Sequence, residues 1–167
     1  MGIRTFTVGV LLVAIAVTAA VVWRGTDGER EFPEMLEEAI NCMRMKTYHD
    51  SVYDYEVDYP EFFEQVPDSL IDEPGCSQFR YWDNWVQVEL TAQVLPLSAV
   101  PNRQETFVSA GPLLMNGSEI PGYCFHAKYV RHRRLWFVLT LTYPEHCAKA
   151  VRRLVQKVDR WQVWEQP

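Results

Sequence analysis

The sequence lacks most of the motifs on which catalysis is usually built. It has 8 glycines and 4 cysteines in 167 residues. It shows no glycine-rich phosphate loop, no G-x-S-x-G nucleophile elbow and no C-x-x-C pair. This removes the common nucleotide cradle, the α/β-hydrolase serine and the thioredoxin-type exchanger. Positive charge is also scarce, with 16 Lys+Arg against 22 Asp+Glu. A net-acidic chain is a poor general binder of nucleic acid, because phosphate affinity rests on Lys and Arg. No internal repeat of fixed period is present. What remains is a core-forming composition, 48% hydrophobic and 13% aromatic, with room for one domain and a targeting segment.

Residues 5–23 (TFTVGVLLVAIAVTAAVVW) carry no charge. At helical rise they span about 28 Å, close to the hydrocarbon thickness of a bilayer. We therefore expect one N-terminal hydrophobic helix over 1–23, with Trp23 at the interface. Arg4 and the α-amine bias the N-terminus inward and later residues outward. Thr18, Ala19 and Ala20 offer cleavage sites, and cleavage would make the chain a secreted one. The apolar run continues through Val21, Val22 and Trp23, which favours an uncleaved anchor. No cysteine follows at a distance suited to lipid attachment, and Phe6 stands where myristoylation needs Ser or Thr. The expectation is a single-pass protein of the bacterial inner membrane. Residues 24–32 then form a linker, and 33–167 a periplasmic α+β domain.

Charge is segregated along that domain. Residues 27–73 hold fifteen acids against Arg30, Arg44 and Lys46, whereas residues 128–160 hold nine bases against Glu145 and Asp159. The two regions are expected to attract across the fold, with docking of an anionic partner or membrane surface on the basic helix as the alternative.

Pro33 opens a helical pattern to about Lys46, with Leu36, Ala39, Ile40 and Met43 at three- and four-residue steps. Tyr53, Tyr55, Val57 and Tyr59 alternate with Asp54, Glu56 and Asp58, which predicts a half-buried strand ending at Pro60. Residues 66–76 read as a loop. QFRYW and WVQVELTAQVLP flank Asp83-Asn84 as a hairpin. Residues 96–118 are weakly patterned, with a short helix expected near 102–109. GYCFHAKYV and LWFVLTLTYP form a second hairpin around a basic turn. Its second arm is apolar on both faces and is expected to be central. Pro144 starts the last helix, whose stripe is Cys147, Ala150, Val151, Leu154, Val155, Val158 and Trp161.

The order is helix, acidic strand into Tyr59-Pro60 with Phe62 and Phe63, hairpin, then hairpin ending in Phe137–Pro144 and a closing helix over His146–Trp164. This resembles the PsbP-like fold over roughly residues 48–164. The resemblance implies an antiparallel sheet flanked by helices, an α/β/α sandwich, and roles in binding or assembly rather than catalysis.

The chemistry-bearing residues are few. Cys42, Cys76, Cys124 and Cys147 suggest disulfides outside the cytoplasm, with Cys76–Cys124 the preferred pair. Cys147 also reads as a reduced core cysteine. A zinc set of Cys124, His126, His146 and Cys147 fits no standard spacing. Asp54, Glu56 and Asp58 read as a solvated face rather than a calcium site. Arg131, His132, Arg133 and Arg134 form the basic turn and are the candidate contact for an anionic partner. No catalytic residue, metal or cofactor is expected. The reading is a membrane-anchored, non-catalytic binding or assembly module of the cell envelope, partnered by the membrane through 5–23 and by an envelope protein. The alternative is a small envelope enzyme using Cys147 or a metal.

Overall fold

The computed structural model describes residues 31–83, 86–102 and 104–163. The expected anchor over 1–23 and most of the linker lie outside the described residues. No described helix is long and apolar enough to cross a membrane. The element order is α1 (Phe32–Cys42), β1 (Met45–Asp50), β2 (Tyr55–Pro60), β3 (Glu64–Gln65), β4 (Cys76–Asp83), β5 (Val86–Pro96), β6 (Thr106–Met115), β7 (Ser118–His132), β8 (Leu135–Pro144) and α2 (Arg152–Arg160). Strands β1 and β2 pair in a small sheet. The other six form one antiparallel sheet in the order β3-β4-β5-β8-β7-β6.

The helix expected to reach Lys46 ends at Cys42, and Met45–Asp50 forms a strand that the periodicity had hidden. The cause is tertiary. Met45–Asp50 pairs antiparallel with Tyr55–Pro60, and Tyr48 packs edge-on against Phe79 at 5.3 Å. Asp50 builds the turn between them, accepting hydrogen bonds from the amides of Val52 (2.9 Å) and Tyr53 (2.8 Å).

In β5, buried Val86, Val88, Leu90, Ala92 and Val94 alternate with half-buried polar residues, as a strand covered on one face must. The register brings Leu90 to Leu141 and Ala92 to Leu139 on β8. Strand β8 lies between β5 and β7, and Trp136, Phe137, Val138 and Leu139 are all buried, so the central position read from its two apolar faces holds. Asp83, expected in the first hairpin's connection with Asn84, belongs to β4 and pairs with Val86; residues 84–85 lie outside the described residues.

The helix expected near 102–109 is not there; Thr106–Met115 is edge strand β6. Phe107 and Val108 suit a strand, and β6 gains a ladder with β7 that shifts register between Pro112 and Leu114. The amide of Arg131 donates to the carbonyl of Glu105 (2.7 Å), so alternate residues including Pro112 turn their backbone outward. There the missing N–H breaks no ladder bond, which is where an edge strand tolerates proline.

The layers are asymmetric. Lys149 meets Glu37 (3.5 Å) and Arg153 meets the end of α1, so both described helices lie on one side of the sheet. The β1–β2 pair lies on that side too, with Tyr55 against Phe137 and Tyr59 stacked on Phe79. A helix layer on each face, as the sandwich implied, is not met among the described residues. The second face carries instead a small cluster of Trp136, Val138 and Ala127 beneath Leu95, Leu97, Val100, Phe107 and Tyr129.

Candidate functional site

The acidic strand and the basic helix come together. Arg153 Nη1 donates to the carbonyls of Ile40 (2.9 Å) and Asn41 (2.7 Å), the C-terminal carbonyls of α1 where a cation is favoured. Lys157 Nζ donates to Asp58 Oδ2 (3.0 Å), and Thr47 Oγ1 to Asp58 Oδ1 (2.8 Å). Burial raises the Asp58 carboxyl, but these bonds and the Lys157 charge outweigh it and hold the group below its ordinary range. The indole N–H of Trp161 donates to the carbonyl of Glu56 (2.7 Å), and its ring meets Tyr55 edge-on at 6.5 Å. The attraction expected between the two charged regions is thus made of specific pairs.

Between β2 and α2 these contacts leave a groove of about 560 Å³. Leu90, Leu139 and Leu154 form its floor; Glu56, Asp58, Lys157 and Arg160 stand on its rim. An apolar floor beneath a paired rim can hold an extended or amphiphilic ligand.

One polar cluster near this groove escaped the sequence reading. His126 Nε2 lies 2.7 Å from Asp159 Oδ1, and the buried Lys128 Nζ donates to the carbonyl of Asp159 (2.6 Å). Burial lowers the Lys128 pKa, and the Asp159 charge opposes that shift. His126 and Lys128 share one strand face, so β7 grips the end of α2 by side chain and main chain together. The clue was available: Asp159 is one of two acids in a basic stretch, and positions 126 and 128 share strand parity.

The cysteines behave otherwise than expected. All four are free. Cys76 and Cys124 are not brought together, because β5 and β8 stand between their strands. Cys76 is level with Gln93, Val138 and Tyr129, and Cys124 lies five residues further along β7. The separation is about 14 Å across the sheet and about 17 Å along it, whereas a disulfide needs Cα atoms within about 7 Å. Burial pushes the Cys76 thiol up to about 11, with the Glu73 charge adding to the shift. Burial also raises Cys147, which is fully enclosed. Both are protonated, weakly nucleophilic thiols, so a Cys147 nucleophile lacks its thiolate. Cys42 is exposed.

Among the described residues no group of three metal-binding side chains is assembled. Within the expected zinc set, His126 is engaged by Asp159 and Cys147 points into the core. Asp54 does not share a strand face with Glu56 and Asp58; it sits in the β1–β2 turn at φ 56° beside His49 (3.2 Å). Arg131, His132, Arg133 and Arg134 form the β7–β8 turn at the end of the sheet away from Pro144. Arg131, Arg133 and Arg134 are exposed and His132 is half-buried.

No family model and no curated protein matches the chain. Among solved structures, it is similar to the solution structure of cyanobacterial PsbP (CyanoP) from Synechocystis sp. PCC 6803. The identity is 15%, over 72% of this chain and 92% of that one, with a TM-score of 0.43. That similarity assigns neither ligand nor partner.

Proposed function

We propose that this domain is a non-catalytic binding or assembly module of the bacterial cell envelope. It is tethered through residues 5–23, with the folded part in the periplasm. The observation that carries the reading is the commitment of the reactive groups. Lys157 and Asp58 pair with each other, His126 is held by Asp159, and the buried Cys76 and Cys147 thiols are pushed away from the thiolate. The uncharged 5–23 segment supports the tether, and its length supports a full span.

The partner contact in this reading is the basic turn. Arg133 holds φ 54°, a conformation that Gly or Asn adopts at little cost in a two-residue hairpin. Arginine there gives up turn propensity while presenting a guanidinium to solvent, alongside Arg131 and Arg134. A carboxylate-rich surface of an envelope protein fits such a tip.

Fractionation and crosslinking of the full chain in intact cells test this. The chain should sediment with membranes. It should crosslink an envelope protein, and that adduct should be lost when Arg131, Arg133 and Arg134 are each changed to Glu. Full-length protein in the cytosol, or an adduct indifferent to those changes, would remove the reading.

A further inference from the structure

We infer that the end of the sheet at which the chain enters the domain is a shallow membrane-docking surface, formed by Met35, Trp82, Leu114 and Met115. This rests on the tethered reading above.

The strand registers define the two ends of the sheet. Trp82 pairs with Gln87, Met115 with Ser118 and Tyr123 with Pro144, so the β4–β5 and β6–β7 connections and the end of β8 all lie at one end. The β7–β8 turn with Arg131–Arg134 lies at the other. Helix α1 gives the entry point. Its Glu37 meets Lys149 and its Ile40 and Asn41 carbonyls meet Arg153, so it runs beside 149–153 with its N-terminus toward Pro144. Pro33 therefore enters at the end that carries Trp82 and Met115.

That end is also where large apolar side chains are left in water. Met35 is 49% exposed, Trp82 65%, Leu114 59% and Met115 62%. They are half of the eight exposed large hydrophobics among the described residues, and Leu70 lines a hollow beside Trp82. The β6–β7 hairpin also overshoots. Beyond Tyr123, level with Pro144, strand β7 continues back to Ser118. The tip closes on Asn116-Gly117 at φ 52° and 79°, a tight two-residue turn. Leu114 and Met115 are thus thrust past the neighbouring strands, where a tip in water would place polar residues.

The tether selects the bilayer as occupant. Residues 24–31 reach at most about 28 Å when fully extended. The regular part of β7, Tyr123–His132, spans about 30 Å before the strand kinks at Gly122, φ 74°. So short a tether confines the entry end to the neighbourhood of a membrane, while the basic turn stands at the opposite end of the sheet. Glu34, Glu119 and Glu145 at the entry end bar deep insertion. The contact is at headgroup depth, where Trp and apolar tips are favoured.

The full chain in phosphatidylcholine vesicles tests this. Cys42 and Cys124 are changed to Ser, and a fluorophore is placed through Trp82→Cys, Met115→Cys or Arg133→Cys. At 82 and 115 a lipid-borne quencher should act severalfold more strongly than a water-soluble one; at 133 the order should reverse. Vesicle-bound chain whose labels at 82 and 115 are quenched from water, as at 133, would overturn the proposal and leave the tether intact. Labels shielded from both quenchers would show a second copy covering this end and overturn it equally. Failure of the chain to float with vesicles would defeat the tethered reading itself, and this proposal with it.

Discussion

On one face of the six-stranded sheet, Phe79, Val88, Leu90, Leu139 and Leu141 lie beneath two helices and the β1–β2 pair, each at most a few per cent exposed. On the other face, Gln87, Glu89, Thr91 and Gln93 stand half-buried, with Gln87 and Thr91 both donating to the Glu89 carboxylate at 2.9 Å. Toward the β7–β8 turn that second face becomes apolar, around Trp136. The same strands serve both faces, so the difference lies in what covers them. A face that receives other elements can fill with branched aliphatics. A face without them keeps polar side chains that satisfy one another. Trp136 marks the boundary, since its indole N–H is buried without a partner.

The largest test of this contrast is Phe79→Ala. Phe79 is fully buried, stacked on Tyr59 at 4.3 Å and met edge-on by Tyr48. Its truncation should cost about 3–5 kcal/mol, read as the shift in a urea unfolding curve at constant slope. Phe107→Ala is the matching probe on the second face. Phe107 stacks on Tyr129 at 4.4 Å and meets Trp136 edge-on, but it is half-buried on an edge strand. The expected loss is roughly half as large, about 2 kcal/mol. Equal losses would break the contrast between a supported and an open face.

Alkaline pH sharpens the comparison in another way. Tyr55 and Tyr48 on the covered side, and the enclosed Cys147, all have pKa values raised chiefly by burial. Cys76, Tyr129 and Tyr143 are raised as well. A group whose folded pKa lies above its unfolded one stabilises fully below the unfolded value and loses that contribution as pH rises. Unfolded thiols titrate near 8.5 and phenols near 10. The unfolding midpoint should therefore fall progressively above about pH 8.5. Lys128, lowered by burial, acts in the opposite direction, but it is one group against six. A midpoint that is flat to pH 11 would contradict the burial on which the comparison rests.

What could be read from the sequence divides along the same line. Strand β5 was legible because one continuous partner surface imposes one period on it; the closing helix was legible only in part, since Pro144 opens a 3-10 turn at Glu145–Cys147 and the α-helix covers Arg152–Arg160 rather than His146–Trp164. Strand β8 was legible because it is enclosed on both sides. Strand β1 was not: MKTYHD carries a strand only through its pairing with β2 and the packing of Tyr48, and neither is local. Strand β6 was not, because an uncharged edge with Gly111-Pro112 shows no sharp period. The Cys76–Cys124 expectation failed on topology. Two hairpins can be recognised separately without revealing that they join through β5 and β8, which sends β4 and β7 to opposite sides. In the groove, the attraction between acidic and basic stretches was legible from charge counts. The individual pairs depend on register between distant elements and were not.

The smallest effect expected is the most discriminating for the groove. Lys157→Met removes the charge that reaches Asp58 while keeping the aliphatic stem that packs along α2. Both partners are roughly 35–46% exposed, so solvent screens the pair and its loss should cost under about 1 kcal/mol at neutral pH. The pH dependence carries more information than the magnitude. Asp58 has a folded pKa below its unfolded value, so its contribution is present above the ordinary carboxylate range and disappears as pH falls through the folded value. The wild-type advantage over Lys157→Met should therefore shrink on acidification toward pH 3, and shrink at neutral pH in high salt. No advantage at neutral pH and low salt would mean that the charge pair contributes nothing, because the methionine keeps the aliphatic stem. The acidic strand and the basic helix would then be held by the apolar floor they share, not by their charges.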